Sequence, residues 1–157
     1  MIVRFTKARH EDRPHTFTCI RPDGTVTGMP STAFFVRHDL THFAVETTLG
    51  FKDAFFGLLA QGWEINSFEE REPGTRKSRA LPTEAVAAEV IVGALELDWA
   101  AGPLPAEETK AIIETTLVAG TPSEALIDEI RSVRGELIER WNRLEPGQSL
   151  ELEFPET

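Results

Sequence analysis

The chain of 157 residues contains one cysteine, Cys19, and no tyrosine. A single cysteine excludes an intrachain disulfide framework and a zinc site built from several thiolates. No segment approaches the roughly 18 consecutive apolar residues that a membrane-spanning helix requires. The first residues, M-I-V-R-F-T-K-A-R, also lack the apolar core of a secretory signal. We therefore expect a cytoplasmic protein that folds as a single domain over residues 1–157.

Basic residues are scarce in the second half of the chain. Residues 1–80 contain 11 Lys or Arg and 10 Asp or Glu, whereas residues 81–157 contain 5 and 16. The net charge of the whole chain is −10. Because nucleic acids and anionic membrane surfaces both require a basic footprint, this composition argues against either as a partner. A small molecule or another protein, including a second copy of the chain, remains as the expected partner.

Alternating apolar residues near both ends of the chain predict β-strands. The last of these segments, S-L-E-L-E-F, alternates throughout, and a Pro-Asp-Gly turn joins the second and third strands. The predicted strands are residues 2–8, 15–20, 25–27 and 149–154. Since these strands come from the N- and C-terminal segments, we expect them to meet in a small, mainly antiparallel sheet.

The middle of the chain is predicted to be helical. Proline and capping residues mark several of the helix starts, most clearly in T-P-S-E at residues 121–124. A polar, charge-mixed connector covers residues 66–80. The predicted helices are residues 34–49, 53–61, 82–99, 106–118 and 123–144. Together with the sheet, about five helices predict an α+β fold.

The first predicted helix, residues 34–49, carries a stripe of ionisable side chains. At about 100° per residue, with His38 at zero, His42 falls near 40°, Glu46 near 80° and Asp39 near 100°. Apolar residues flank the stripe, and the arc left for solvent carries Arg37, Thr41, Ala44 and Thr48. We therefore expect the stripe to face the protein, where ionisable groups are costly unless they are paired or bind a metal.

The pattern H-D-x-x-H-x-x-x-E predicts a metal site as its first interpretation. Two histidines four residues apart on a helix present their rings to one point, as in H-E-x-x-H zinc hydrolases. His38 and His42 would be the ligands, and Glu46 would be a third ligand or the partner that orients a ligand. Asp39, at the position of the glutamate in those enzymes, would be the base or an orienting carboxylate. This interpretation predicts a metal-dependent hydrolase with zinc as the first choice of metal, and His10, His15 or Glu64 as candidates to complete the ligand set.

Two other interpretations of the stripe remain open. In a metal-free acid–base site, Asp39 or Glu46 would orient His42 and tune its pKa. In a structural network, the buried histidines and carboxylates would only join the helix to its neighbours. The protein would then be a non-catalytic interaction or scaffold protein, whose acidic helices at residues 106–118 and 123–144 form a partner or homodimer surface.

The stretch V-R-H-D-L-T-H-F-A-V-E-T-T-L-G-F, followed by G-W-E-I, resembles a small family of bacterial proteins to which no activity is assigned. The resemblance extends over most of the chain, from the N-terminal strand through the ionisable stripe. It implies a bacterial, cytoplasmic, single-domain protein, and it implies neither a reaction nor a catalytic residue. The likeness to zinc hydrolases covers only five positions.

Overall fold

The computed structural model describes residues 1–68 and 80–155. Four strands form one antiparallel sheet in the order β3-β2-β1-β4, so that the first and last strands of the chain lie side by side. The sheet and the helices confirm the predicted α+β fold. The strands are β1 at Ile2–Thr6, β2 at His15–Ile20, β3 at Val26–Ser31 and β4 at Ser149–Glu153.

The register of the sheet follows from the apolar alternation of its strands. Phe5 pairs with Phe17 on one side and with Leu150 on the other, and Val3 pairs with Leu152. Since side chains alternate between the two faces of a sheet, this register places all five of these residues on one face. All five are buried there, against the helical layer.

The helices agree with the predicted positions to within a few residues, apart from the fourth. That helix ends at Glu114 rather than near residue 118, and the Thr115 hydroxyl donates a hydrogen bond to the carbonyl of Ile112 as the helix stops. The helices are α1 at Ala33–Leu49, α2 at Phe55–Ala60, α3 at Thr83–Ala101, α4 at Ala106–Glu114 and α5 at Glu124–Asn142.

Helix α1 lies at the centre of the fold, in contact with the sheet, with α3 and with α5. The Thr32 hydroxyl accepts a hydrogen bond from the Phe35 amide at its start, and Gly50 ends it in the left-handed conformation with φ of 67°. Because α1 is covered on several sides, Thr41 and Ala44 are fully buried. The prediction that these two residues face solvent was therefore wrong.

A buried ion cluster joins α3 to α5. Asp98 on α3 accepts hydrogen bonds from Arg131 at 2.9 and 3.0 Å and from Arg134 at 2.8 Å. Arg134 also donates to the carbonyl of Leu95 at 2.8 Å, and Arg131 donates to the hydroxyl of Thr109 on α4 at 2.8 Å. These bonds attach three helices to one another at the end of α3.

The predicted connector at residues 66–80 lies mostly outside the described residues. A 3₁₀ turn at Ile65–Phe68 occupies its first part. In the part of the chain that the structure describes, no helix combines the length and the apolar character needed to cross a membrane.

Candidate functional site

His38 and His42 lie one turn apart on α1 and line the same cleft, which has a volume of about 420 Å³. Their ring centroids are 4.7 Å apart. His42 is almost completely buried, whereas His38 is half-buried at the cleft. The predicted convergence of two imidazoles on one helix face is therefore present, and both reach a space that a ligand could enter.

Glu89 of α3 lines the same cleft as the two histidines. Its Oε1 lies 3.4 Å from His42 Nε2, and one potential ligand atom from each of Glu89, His38 and His42 lies within 4.8 Å of the others. Two ligands of a tetrahedral zinc ion, at bond lengths of about 2.0–2.1 Å, are about 3.3 Å apart. The Glu89–His42 pair already has about that separation. Any longer distance between two of the three ligand atoms would have to shorten on metal binding.

A carboxylate also faces the Nδ1 atom of each histidine. His38 Nδ1 lies 2.6 Å from Glu96 Oε1, and His42 Nδ1 lies 3.4 Å from Glu46 Oε1. A histidine that binds a metal almost always directs its other ring nitrogen to a carboxylate, a carbonyl or water, which sets the tautomer and the ring orientation. Both histidines therefore have the surroundings of metal ligands.

Glu46 lies behind His42, away from Glu89. It is fully buried, and its Oε2 accepts hydrogen bonds from the amides of Phe56 and Gly57 at 2.9 and 3.4 Å. Burial raises the pKa of Glu46, although His42 and the two amides oppose this shift. Glu46 is outside the group formed by His38, His42 and Glu89, so its contacts favour the predicted role of orienting partner over that of ligand.

The protonation of His42 depends on the two carboxylates beside it. Burial by itself lowers the pKa of His42, but Glu46 and Glu89 outweigh burial and raise the pKa to about 9. The ring is therefore an imidazolium at neutral pH when no metal is present. A metal that binds His42 has to displace that proton, so binding would release it to solvent.

Asp39 lines the cleft next to the histidines. Burial raises the pKa of Asp39 to about 7, with His42 opposing the shift and Glu89 adding to it. A carboxyl group with a pKa near 7 can accept and return a proton at neutral pH, which is the requirement for a general base. Asp39 therefore lines the same cleft as both histidines, and its acid–base role stays a prediction.

The walls of the cleft are mainly apolar. They come from the sheet, from the start of α1, from α2, from the 3₁₀ turn and from the residues before α3. Phe55 of α2 forms part of the wall, and the centroid of its ring lies 5.9 Å from that of His42. The lining apolar residues are Phe17, Met29, Phe35, Phe55, Ile65, Phe68 and Leu81.

The other candidate ligands and the single cysteine lie elsewhere. His15 Nδ1 accepts a backbone hydrogen bond at 3.0 Å, and Glu64 lies 3.3 Å from Arg21. His10 lines a separate cleft near the chain's N-terminus. Burial raises the pKa of the Cys19 thiol to about 12, so this thiol is a core group rather than a nucleophile. His10, His15 and Glu64 therefore lie outside the group formed by His38, His42 and Glu89.

Sequence reasoning missed Glu89 and Glu96 because both belong to the predicted helix 82–99, far from the stripe in the chain. A signal was nevertheless present. The two glutamates are seven residues apart, which places them on one face of a helix that otherwise consists mostly of Ala, Val, Ile and Leu. The sequence alone does not show that this face of α3 packs against His38 and His42.

Comparisons with protein-family models, with curated proteins and with solved structures found no match to this chain. The resemblance to a bacterial family therefore stays a prediction. The chemistry of the site has to be argued from its own residues.

Proposed function

We propose that this chain is a metal-dependent hydrolase that binds a divalent cation through His38, His42 and Glu89. The observation that carries the proposal is the convergence of these three residues in one cleft, with a carboxylate at the second nitrogen of each histidine. Two imidazoles and one carboxylate form the donor set of the thermolysin class of zinc enzymes. Zinc is the first choice, and Fe(II), Mn(II) and Ni(II) also accept nitrogen and oxygen ligands.

The chemistry proposed for the site divides between the metal and Asp39. A catalytic metal with three protein ligands keeps a position open for water and lowers the pKa of that water to about 7. Asp39 would accept the proton of the attacking water and return it to the leaving group. Glu46 and Glu96 would hold the two imidazoles in the tautomers that leave their other nitrogens free for the metal.

The first test is the metal content of the purified, untagged protein by elemental mass spectrometry. About one equivalent of metal is expected in the native protein and none in a folded His38→Ala/His42→Ala variant. His10→Ala is the matched control, because His10 is exposed and lies outside the site, and it should keep the metal. If the native protein binds no metal even after incubation with zinc, manganese, iron and nickel, the proposal fails.

A structural network is the second candidate function, and one observation favours it. The contacts His38–Glu96 and His42–Glu89 each connect α1 to α3, so they could serve only to join these helices. In that case His42→Ala would change no metal content. It would instead lower the free energy of unfolding by about 1–3 kcal/mol, since it leaves the buried carboxyl group of Glu46 without its partner. The protein would then act through its acidic helices as an interaction or scaffold protein.

A further inference from the structure

We propose that a second cleft, beside the loop between β1 and β2, binds the phosphate group of a small phosphate monoester. This cleft has a volume of about 460 Å³, and its described lining residues include Lys7, Arg9 and Arg13. It is called the basic cleft below. Phosphate binding there needs no metal and does not depend on the proposed function.

Two arginines of the basic cleft have no partner for their charge. Neither the Arg9 nor the Arg13 side chain forms an ion pair or a hydrogen bond within the described part of the chain. Two guanidinium groups that line one concave space repel each other, and an anion bound between them offsets that repulsion. Most other arginines of the chain already have a carboxylate partner, namely Arg4, Arg21, Arg131, Arg134 and Arg143.

The charges of the basic cleft favour an anion. Its described lining residues carry three positive charges and one negative charge, that of Glu11, which gives a net charge of +2 with the histidines counted as neutral. The chain as a whole has a net charge of −10. Lys7 donates a hydrogen bond to the carbonyl of Leu144 at 2.8 Å, so it contributes charge and leaves direct contact to the two arginines. Since arginine side chains donate hydrogen bonds and accept none, they bind an anion in preference to a cation.

Both arginines are attached to backbone that is held in place. A Cβ atom on Gly147 would lie 3.2 Å from Cγ and from Nε of Arg9, so the Arg9 side chain packs directly on this glycine. The Gly147 amide in turn donates to the carbonyl of Lys7 at 2.9 Å, and the Arg13 amide donates to the carbonyl of His10 at 3.1 Å. A ligand would therefore order two side chains rather than a whole loop, which lowers the entropic cost of binding.

A phosphate monoester matches this combination of charge, donors and space. The planar guanidinium group of arginine donates two parallel hydrogen bonds to phosphate oxygens. A phosphate monoester carries a charge of about −1.5 to −2 at pH 7, which is opposite in sign and close in size to that of the cleft. The volume leaves room for an organic group beside the phosphate. The apolar surface for that group comes from Ala8, Pro14, Ala33 and Pro146.

Isothermal titration calorimetry on chelator-treated protein at low ionic strength tests this proposal with phenyl phosphate, benzoate, benzyl alcohol and benzylamine. Phenyl phosphate should bind at least about fivefold more tightly than benzoate, and benzyl alcohol and benzylamine should bind more weakly still. Added salt should weaken the binding of phenyl phosphate, because the contacts are ionic and lie near the surface. No binding of phenyl phosphate, or equal binding of benzoate or benzylamine, would overturn the proposal.

Inorganic phosphate distinguishes the two sources of the phosphate group. Tighter binding of phenyl phosphate than of inorganic phosphate would support a monoester as the ligand. Equal binding of the two would support the contacts to phosphate and overturn the inference that an organic group is bound beside it.

Arginine variants assign the binding to the basic cleft. Arg9→Gln and Arg13→Gln should each weaken phenyl phosphate by about fivefold, and the double variant should weaken it further. Both side chains are exposed, so the free energy of unfolding in urea should stay close to that of the native protein. Arg140→Gln is the matched control, since Arg140 is exposed on α5 and does not line the cleft. An equal loss in the Arg140 variant would mean non-specific attraction and would contradict the proposal.

A last variant separates this site from the candidate metal centre. Ser31 lines both the basic cleft and the cleft that contains the two histidines. The His38→Ala/His42→Ala variant should bind phenyl phosphate as the native protein does, and a loss of binding there would contradict the proposal. Phosphate binding in a protein that takes up no metal would remove the hydrolase alone. One equivalent of metal without phosphate binding to the metal-free protein would remove the phosphate site alone.

Discussion

Glu46 Oε1 and His42 Nδ1 face each other at 3.4 Å inside the protein, and neither atom has a hydrogen-bond partner within the described part of the chain. The distance exceeds the 2.7–3.2 Å of a well-formed hydrogen bond. Two buried polar atoms without good partners are costly. A small movement of the imidazole could bring them into contact, and a metal that binds the Nε2 side of His42 would favour the tautomer that donates to Glu46.

We predict that Glu46→Gln lowers the affinity of the protein for metal by about 10- to 100-fold, the usual effect of removing a carboxylate behind a histidine ligand. The amide can still accept hydrogen bonds from Phe56 and Gly57, so the fold should persist. Competition with a chromophoric chelator measures the affinity. Glu129→Gln, an exposed change on α5, is the control. Unchanged affinity in the Glu46 variant would show that Glu46 does not support a ligand.

Asp39→Asn should slow turnover strongly while leaving the metal in place. The assay uses phenylalanine 4-nitroanilide, an amide whose hydrolysis releases a coloured product. Loss of a general base typically lowers the rate by about 10²- to 10⁴-fold. Metal content by elemental mass spectrometry is measured on the same sample. If hydrolysis by the native protein continues unchanged in the variant, Asp39 is not the base.

Gly57→Ala should destabilise the protein because there is no space for a methyl group at this position. A Cβ atom on Gly57 would lie 2.0 Å from the carbonyl oxygen of Lys52. Relief of that overlap has to move the start of α2, which supplies the amides that bind Glu46. We expect a loss of about 1–3 kcal/mol in the free energy of unfolding, measured with urea.

Gly93→Ala is the matched control for this change. Gly93 is exposed in the middle of α3, and a Cβ atom there would meet nothing within 4 Å. Since alanine favours a helix over glycine, this variant should be more stable by about 0.5–1 kcal/mol. Similar stabilities for the two variants would contradict the close approach of α2 to Lys52.

Asp98→Asn should cost about 3 kcal/mol at neutral pH, because it leaves Arg131 and Arg134 with a neutral partner in a buried site. Burial raises the pKa of Asp98, but Arg131 and Arg134 outweigh burial and hold it below its usual value. Protonation therefore favours the unfolded chain. The contribution of Asp98 is present above the unfolded pKa of about 4 and is lost as the pH falls through the folded pKa.

The measurement for this prediction is the difference in unfolding free energy between the native protein and Asp98→Asn. It should shrink as the pH falls from neutrality through the unfolded pKa of about 4 and then through the lower folded pKa. A difference that stays constant over this range would mean that the two arginines do not depend on the charge of Asp98. Glu129→Asn, on the exposed face of α5, should show no such dependence.

Local patterns predicted the sheet and most helix positions correctly. The alternation of Val3 and Phe5, and of Leu150 and Leu152, was sufficient to identify two strands with one apolar face, and these strands pair in the structure. Arg37 of α1 is exposed as predicted, but Thr41 and Ala44 were predicted wrongly to face solvent, because that estimate assumed a surface helix. A helix covered by a sheet and by two other helices has no broad solvent face, and its sequence does not show how many neighbours it has.

What the sequence determined by itself is the stripe on α1. The spacing of His38, His42 and Glu46 is a local property of a helix with 3.6 residues per turn, so these residues share a face however the helix packs. Only the tertiary structure decided which residues meet that face. Glu89 and Glu96 reach the histidines because α3 packs against α1, a contact between segments about 50 residues apart that depends on the packing of the whole core. The same packing placed Glu46 behind His42 rather than beside Glu89, and it opened the cleft in front of them.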